Sequence, residues 1–174
     1  MADTASLAPF LDVFPEWLRS LGEDARELGA TLSPISDEET ARYTVAGLNY
    51  IFKSLDLIPD GIDDLGFCDD AFVIRVAAKL ANQEEGILGR LAGEASEVES
   101  FLGEDYERLV TYVEGLKKGA ARGRTVEDIV GDEEVRATFL DEVGAWAAEY
   151  QVPAFTKDVK TLIKLKAFLS AKLG

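Results

Sequence analysis

The sequence contains no histidine and a single cysteine, Cys68. Without histidine the chain cannot form a His-dependent catalytic triad, a His-ligated zinc or haem site, or an imidazole acid–base pair. One cysteine excludes an intramolecular disulfide and a zinc site made of several cysteines. Because Asp69 and Asp70 follow Cys68 and disfavour a thiolate, we predict that this cysteine is a small buried residue and not a nucleophile.

Basic residues are also few. There are 18 lysines and arginines against 33 aspartates and glutamates, which gives a net charge of −15. A surface of this sign repels phosphate backbones, so no nucleic-acid partner is predicted. No run approaches the roughly 18 consecutive apolar residues of a membrane span, and residues 1–14 lack the basic region of a secretory signal. We therefore expect a cytoplasmic protein.

The sequence is rich in apolar residues, which make up 47% of its 174 positions. That content suits one globular domain with a substantial core, and no proline-rich linker, low-complexity tract or internal repeat divides residues 1–174. Apolar residues recur at spacings of three and four in nearly every segment, and no segment shows the sustained alternation of a half-buried strand. The pattern predicts an all-α, single-domain helical bundle of about six or seven helices.

Capping residues predict where the central helices begin. Ser36 and Glu39 are spaced as in a capping box, which predicts a helix over residues 37–54. Asp69 or Asp70 is predicted to begin the next helix. That helix has a nearly continuous apolar face, so we expect it to be the most buried one.

Other boundary signals occur nearer the two ends of the chain. Pro15 fits the first turn of a helix better than its middle, which predicts a junction between two helical pieces. Thr125 and Asp132 are each predicted to start a helix, and Thr156 to cap the last one. Residues 120–125, AARGRT, are predicted to form a basic loop.

The stretch 56–70 reads DLIPDGIDDLGFCDD and carries six aspartates and no basic residue. An EF-hand calcium loop that starts at Asp56 fails, because Ile58 and Phe67 occupy positions that need oxygen ligands. Other sites for hard cations are less prescriptive. The sequence therefore keeps four carboxylates as candidate ligands for Mg²⁺, Mn²⁺ or Ca²⁺: Asp56, Asp60, Asp69 and Asp70.

The same aspartates also suit an ordered turn between two helices. Pro59 fixes a backbone angle and Asp60-Gly61 is a turn signal, while Asp69 or Asp70 suits a helix N-cap. General acid–base chemistry by these carboxylates is a third interpretation. Since no oxyanion hole or phosphate-binding loop accompanies them, no catalytic or cofactor-binding residue is predicted. The favoured interpretation is an ordered turn that joins two helices, and we call residues 56–70 the hinge.

Residues 40–84 resemble a known family. They contain Tyr50, then Asp-Leu-Ile-Pro-Asp over residues 56–60, and Gly-aromatic-x-Asp-Asp over residues 66–70 before an apolar helix. In this combination the segment resembles the bacterial YkvA-type domain, a short helical domain of unknown function. It departs from that pattern at Ser54 and Asp63, where prolines are common, and at Gly61, where an apolar residue is usual. The resemblance implies two helices joined by an aspartate-bearing hinge, and no established reaction.

The C-terminal residues 157–172 differ from the rest in charge. They carry five lysines and one aspartate, a net charge of +4, which leaves −19 for the remaining residues. This segment is predicted to pack on the protein's own acidic body. A basic amphipathic helix is also able to lie on an anionic membrane surface or to dock on a partner. Its predicted apolar side consists of Val159, Leu162, Ile163, Phe168 and Leu169.

These patterns favour a soluble, non-enzymatic interaction or structural module without a cofactor. It would act through a protein partner or as a homo-oligomer. One alternative is a divalent-cation-binding protein or metal-dependent enzyme that uses the carboxylates of residues 56–70. The other is peripheral membrane binding through residues 157–172.

Overall fold

The computed structural model describes residues 4–52, 57–58 and 65–174. Within these ranges the helices are Thr4–Leu7 (α1), Phe10–Ala30 (α2), Glu38–Tyr50 (α3), Cys68–Ala81 (α4), Gly86–Leu102 (α5), Tyr106–Leu116 (α6), Val126–Gly131 (α7), Glu133–Glu149 (α8) and Val159–Leu173 (α9). A 3₁₀ turn, Gly103–Asp105, joins α5 to α6. Two short antiparallel strands, Ala120–Ala121 (β1) and Arg124–Thr125 (β2), precede α7. The predicted all-α bundle is confirmed, and seven of the described helices have eleven residues or more.

Helix α4 lies at the centre of the bundle and packs against α2, α3, α5 and α6. It is apolar on almost every side, as a helix surrounded by others must be. Only Lys79 and Leu80 escape full burial, which confirms the prediction for this helix. Its Phe72 meets Phe14 of α2 and Phe101 of α5 in edge-to-face contacts, and burial of each such ring contributes about 1.5–3 kcal/mol.

Helices α3 and α4 begin at different residues from those predicted. Asp37, and not Ser36, is the N-cap of α3, and its carboxylate accepts the backbone N–H of Thr40. The hydrogen bonds from Thr40 lower the pKa of Asp37. The helix ends at Tyr50, before the predicted end, and residue 54 lies outside the described ranges. Helix α4 starts at Cys68 after an N-cap at Phe67, so the prediction of an aspartate N-cap is wrong.

Predicted starts of the later helices are partly confirmed. The Thr125 hydroxyl accepts the Asp128 N–H while the Asp128 carboxylate accepts the Thr125 N–H, so α7 has a full capping box. Asp132 caps α8, as predicted. The predicted cap at Thr156 is wrong, because the carboxylate of Asp158 accepts a backbone N–H in the first turn of α9. A carboxylate is as good an N-cap as a hydroxyl, and it also gains from the helix dipole.

Two further predictions were wrong. Pro15 lies inside the continuous helix α2, where the missing N–H removes the bond that residue 15 would donate to the carbonyl of Leu11. The predicted basic loop at 120–125 is a β-hairpin. Arg122 and Gly123 form its two-residue turn with φ of 52° and 79°, the positive angles that such turns require.

Candidate functional site

The four aspartates predicted as cation ligands fall into two pairs. Asp56 and Asp60 lie outside the described residues. Asp69 and Asp70 occupy the first turn of α4 and are 0% and 1% exposed. Their place at this helix end lets the peptide dipoles stabilise negative charge. In the part of the chain that is described, no three acidic or cysteine side chains are grouped to hold a metal ion.

Asp69 is hydrogen-bonded into the segment that precedes α4. The hydroxyl of Tyr50 donates to Oδ2 of Asp69 over 2.6 Å, and the oxygen of the same hydroxyl accepts the N–H of Leu57 at 2.7 Å. The N–H of Ile58 lies 3.4 Å from the same carboxylate oxygen. All four residues are buried. Asp69 therefore organises the backbone at residues 57 and 58, in a different way from the predicted N-cap.

Burial keeps the hydroxyl of Tyr50 and the thiol of Cys68 protonated. Burial first, and then the charge of Asp69, raises the pKa of Tyr50 above its ordinary value of 10.0. Burial, followed by the charges of Asp69 and Asp70, likewise raises the pKa of the Cys68 thiol above 9.0. Cys68 is 1% exposed, so its predicted burial is confirmed. A protonated, buried thiol is a poor nucleophile.

Phe67 fixes the end of the hinge to the opposite side of the bundle. Its backbone has a φ of 66°, a left-handed conformation that costs a bulky residue about 1–2 kcal/mol. Its ring makes edge-to-face contacts with Trp146 of α8 and with Tyr150, the residue that follows α8. The Tyr150 hydroxyl in turn donates to the backbone carbonyl of Leu18 over 2.7 Å. These contacts offset the strain and hold the start of α4 against α8 and α2.

Sequence reasoning missed a buried ion cluster between α2, α4 and α5. Arg75 is 0% exposed, and its Nη2 lies 3.1 Å from Oε1 of Glu94 and 3.5 Å from Oδ2 of Asp24. Its guanidinium stacks 4.1 Å from the centre of the Trp17 ring. Arg90 pairs with the same two carboxylates. The sequence signal that could have predicted this cluster is the single arginine in the otherwise apolar stretch FVIRVAA. A cation inside such a helix requires buried partners.

The charge of Arg75 persists despite its burial. Loss of hydration lowers the pKa of Arg75 to about 10, and the charges of Glu94 and Asp24 oppose that change. The guanidinium is thus protonated at neutral pH. Such a cluster fixes the relative positions of three helices, because removal of Arg75 would leave the buried carboxylate of Asp24 with one cation fewer in a poorly hydrated place.

A cleft of about 540 Å³ opens between residues 32–36 and the junction of α7 with α8. Its polar lining includes Ser33, Ser36 and Arg136. Arg136 donates to the carbonyl of Val130 over 2.8 Å and so completes the end of α7. No hydrogen bond within the described ranges joins either serine side chain to a base, so the cleft lacks an activated hydroxyl.

Helix α9 uses three leucines, Leu162, Leu165 and Leu169, to pack on the body of the protein. It lies against α1, α2, α6 and the 3₁₀ turn. Ile163, predicted to face inward, is 43% exposed and points away from that contact. None of the helices in the described ranges is long and apolar enough to cross a membrane. The other four residues of the predicted apolar side pack against the core, as predicted, whereas the side of α9 that carries Ile163 is exposed.

The lysines of α9 are turned towards solvent. Lys157 lies 3.5 Å from Asp12, whereas Lys160, Lys164, Lys166 and Lys172 have no carboxylate of the described residues within 4.0 Å. Elsewhere ion pairs are the rule. Besides Lys157, which precedes α9, nine cations outside α9 have them: Arg19, Arg26, Arg42, Arg75, Arg90, Arg108, Lys117, Arg122 and Arg124.

Comparison with family models, with curated proteins and with solved structures gives no match for this chain. The resemblance of residues 40–84 to the YkvA-type domain therefore stays a prediction from its motif. Four positions of that motif, Tyr50, Leu57, Ile58 and Asp69, belong to one hydrogen-bonded unit. This shared unit gives a physical reason for their spacing.

Proposed function

We propose that this protein is a non-enzymatic helical module that acts by binding another protein through the outer side of α9. We define the α9 face as Lys160, Ile163, Lys164, Ala167 and Ala171. Spacings of three and four residues place them on one side of the helix. All five are exposed.

The observation that carries this proposal is the unpaired charge of the α9 face. Lys160 and Lys164 are four residues apart, and like charges at that spacing repel each other along a helix. No acidic residue stands between them or within 4.0 Å in the described part of the chain. The charges of an exposed surface speed association and select the partner, and Ile163 adds an exposed aliphatic side chain between the two lysines.

The buried groups of the protein support a structural role for the aspartate hinge. Chemically distinctive side chains with shifted pKa values are candidates for catalysis. Here Tyr50, Cys68 and Arg75 have such values, yet each is at most 1% exposed. Two of the three are also bonded to other parts of the fold. A substrate would have to displace core residues to reach them.

The packing of α9 favours a protein partner over a lipid surface. An interfacial helix binds a membrane by burying its apolar side among the acyl chains. In α9 that side is occupied, since Leu162, Leu165 and Leu169 are each 0% exposed against the body. The −19 charge of the remaining residues would also be repelled by an anionic leaflet.

Site-specific photo-crosslinking tests the proposal. A benzophenone amino acid is placed at Ile163 in the chain expressed at its natural level, with Lys79 of α4 as the exposed control position. Adducts of discrete mass are expected from position 163 and not from position 79. They should weaken when Lys160→Glu and Lys164→Glu are added. Equal labelling from both positions, or none from position 163, would contradict the proposal.

A further inference from the structure

An acidic patch lies beside α9 on the same molecule. We define it as Glu99, Glu104 and Glu107, from the end of α5, the 3₁₀ turn and the start of α6. All three are exposed, and no lysine or arginine of the described ranges lies within 4.0 Å of their carboxylates. Glu99 and Glu107 both act on Tyr106, whose pKa is raised by burial and by these two charges. Because α5 and α6 pack against each other and against the 3₁₀ turn, the patch is one local surface.

The acidic patch and the α9 face occupy neighbouring positions. Helix α9 packs directly against the 3₁₀ turn and against α6. Despite this proximity, no ion pair within 4.0 Å joins the described lysines of the α9 face to the described glutamates of the patch. A two-fold rotation sets the α9 face of one copy opposite the acidic patch of a second copy. Two adjacent unpaired surfaces of opposite charge are therefore complementary between two copies of the same chain.

From this arrangement we infer that the partner of the α9 face is a second copy of this chain. In the two-fold dimer, Lys160 and Lys164 of each copy face Glu104 and Glu107 of the other. Both contacts form at once, because a two-fold interface repeats each pair. This inference rests on the proposed function and names its partner.

The size of the surface sets the expected strength. A helix of 15 residues is about 22 Å long. The five residues of the α9 face and the three of the acidic patch are fewer than the roughly 20–30 residues that each partner contributes to a standard stable interface. We therefore expect a transient dimer, with a Kd of about 10–100 μM.

Salt should act on this dimer in two ways. The net charge of −15 makes two copies repel each other at low ionic strength. Near 0.15 M salt this repulsion is screened beyond about 8 Å, whereas at about 1 M the contact pairs are screened as well. Association is expected to be strongest at intermediate salt and to weaken at high salt.

Charge reversal provides the decisive test, read out by analytical ultracentrifugation over micromolar to submillimolar concentrations. One variant carries Lys160→Glu and Lys164→Glu, and the other carries Glu104→Lys and Glu107→Lys. Each variant alone places like charges in both contacts, so its Kd should rise about tenfold or more. When the two variants are mixed, both contacts are attractive again, and a heterodimer should form.

A matched control reverses two lysines elsewhere. Lys79→Glu with Lys118→Glu makes the same change in net charge at exposed positions that have no ion pair in the described ranges. This variant should dimerise as the wild type does. Circular dichroism melts of every variant separate lost association from lost folding. Formation of the heterodimer also shows that both variants are folded, because unfolded variants would not form this interface.

Three outcomes would overturn the inference. A wild type that stays monomeric at every concentration contradicts it, and so does a dimer that charge reversal leaves unchanged. Mixed variants that fail to pair contradict it too. Photo-crosslinks from position 163 to a different protein would then keep the proposed function while the dimer is rejected. If the dimer test fails and position 163 also gives no photo-crosslink to any protein, both proposals are rejected.

Discussion

The hydroxyl of Tyr50 donates a 2.6 Å hydrogen bond to the carboxylate of Asp69, and both side chains are buried. The same hydroxyl accepts the N–H of Leu57, so this pair connects the end of α3, the hinge and the start of α4. Hydrogen bonds to a charged acceptor are strong in a poorly hydrated place, and leaving such groups unbonded is correspondingly costly. Asp69 thus has a structural task that explains its burial.

Replacement of Tyr50 by phenylalanine should lower the free energy of unfolding by about 2–4 kcal/mol. The change removes the hydroxyl that donates to Asp69 and accepts from Leu57. Urea denaturation measures the effect. The control is Tyr43→Phe, since the Tyr43 hydroxyl bonds Glu114 in a part-buried place and should contribute about 1 kcal/mol or less. Equal losses in the two variants would show that the buried network adds no stability.

Alkaline pH should destabilise the fold through Tyr50 and Cys68. Burial raises the pKa of both groups above their ordinary values of 10.0 and 9.0. The unfolded chain releases these protons near the ordinary values, while the folded chain keeps them. The stability they contribute is therefore fully present below about pH 9 and is lost as the pH rises further, by about 1.4 kcal/mol per pH unit for each group.

Denaturation curves between neutral pH and pH 11 check this pH dependence. The free energy of unfolding should stay level in the neutral range and fall above about pH 9, more steeply once tyrosine ionises in the unfolded chain near pH 10. Cys68→Ala and Tyr50→Phe should each reduce the slope. A slope that is the same in both variants as in the wild type would mean that other groups cause the loss.

Divalent cations should leave the melting temperature unchanged if the hinge is purely structural. Oδ2 of Asp69 accepts from Tyr50, so a metal at that oxygen would have to replace a buried hydrogen bond. We expect equal melting temperatures in EDTA and in millimolar Mg²⁺, Mn²⁺ or Ca²⁺. A cation that binds the folded state would raise the melting temperature. A rise that Asp69→Asn or Asp60→Asn abolishes would instead support the cation site, while Asp141→Asn on the exposed side of α8 serves as control.

The sequence allowed the helices to be predicted, but not all of their ends. The nearly continuous apolar face of α4 predicted that it would be the most buried helix, because a helix that is apolar all round has to be surrounded. Caps were harder to assign, since Ser36 and Asp37, or Thr156 and Asp158, are chemically equivalent candidates a residue or two apart. Phe67 illustrates a further limit. Its left-handed backbone is held by the rings of Trp146 and Tyr150, at the end of α8 and just after it, which no local pattern reveals.

The partners of buried polar groups were beyond the reach of local patterns. Asp69 looked like a helix cap because its nearest groups along the chain are backbone N–H groups of α4. Its hydroxyl partner Tyr50 lies 19 residues away, and the distance was set by tertiary packing. Arg75 likewise pairs with residues on two other helices. A lone charge in an apolar helix predicts that partners exist without saying where they are.

Replacement of Arg75 by methionine should lower the free energy of unfolding by about 3 kcal/mol or more. Asp24 is 1% exposed and would lose one of its two cations, keeping its pair with Arg90 and the hydrogen bond from Ser20. In a double-mutant cycle, Asp24→Asn should cost less in the Arg75→Met background than in the wild type. Arg19→Met is the matched control, because its pair with Glu16 is exposed and contributes under about 1 kcal/mol. Additive losses in the cycle would argue against a coupled cluster.

Two glycine substitutions test how closely α3 and α4 approach each other. A Cβ added at Gly93 of α5 meets nothing within 4 Å, so Gly93→Ala should raise the free energy of unfolding by about 1 kcal/mol through helix propensity alone. A Cβ at Gly47 of α3 lies 3.2 Å from the Cβ of Ala77 on α4. Gly47→Ala should therefore lose that gain and destabilise the fold by about 1 kcal/mol or more.

The position of Gly47 ties this test to the hinge. It lies three residues before Tyr50, so the helix spacing that a Cβ would widen also sets how Tyr50 reaches Asp69. Gly47→Ala should then weaken the contribution of the hydroxyl, and Tyr50→Phe should cost less in the Gly47→Ala background than in the wild type. Urea denaturation of the four proteins measures this coupling. Equal stabilisation by both alanines, or an unchanged cost of Tyr50→Phe, would show that the spacing of α3 and α4 does not control the hydrogen bond.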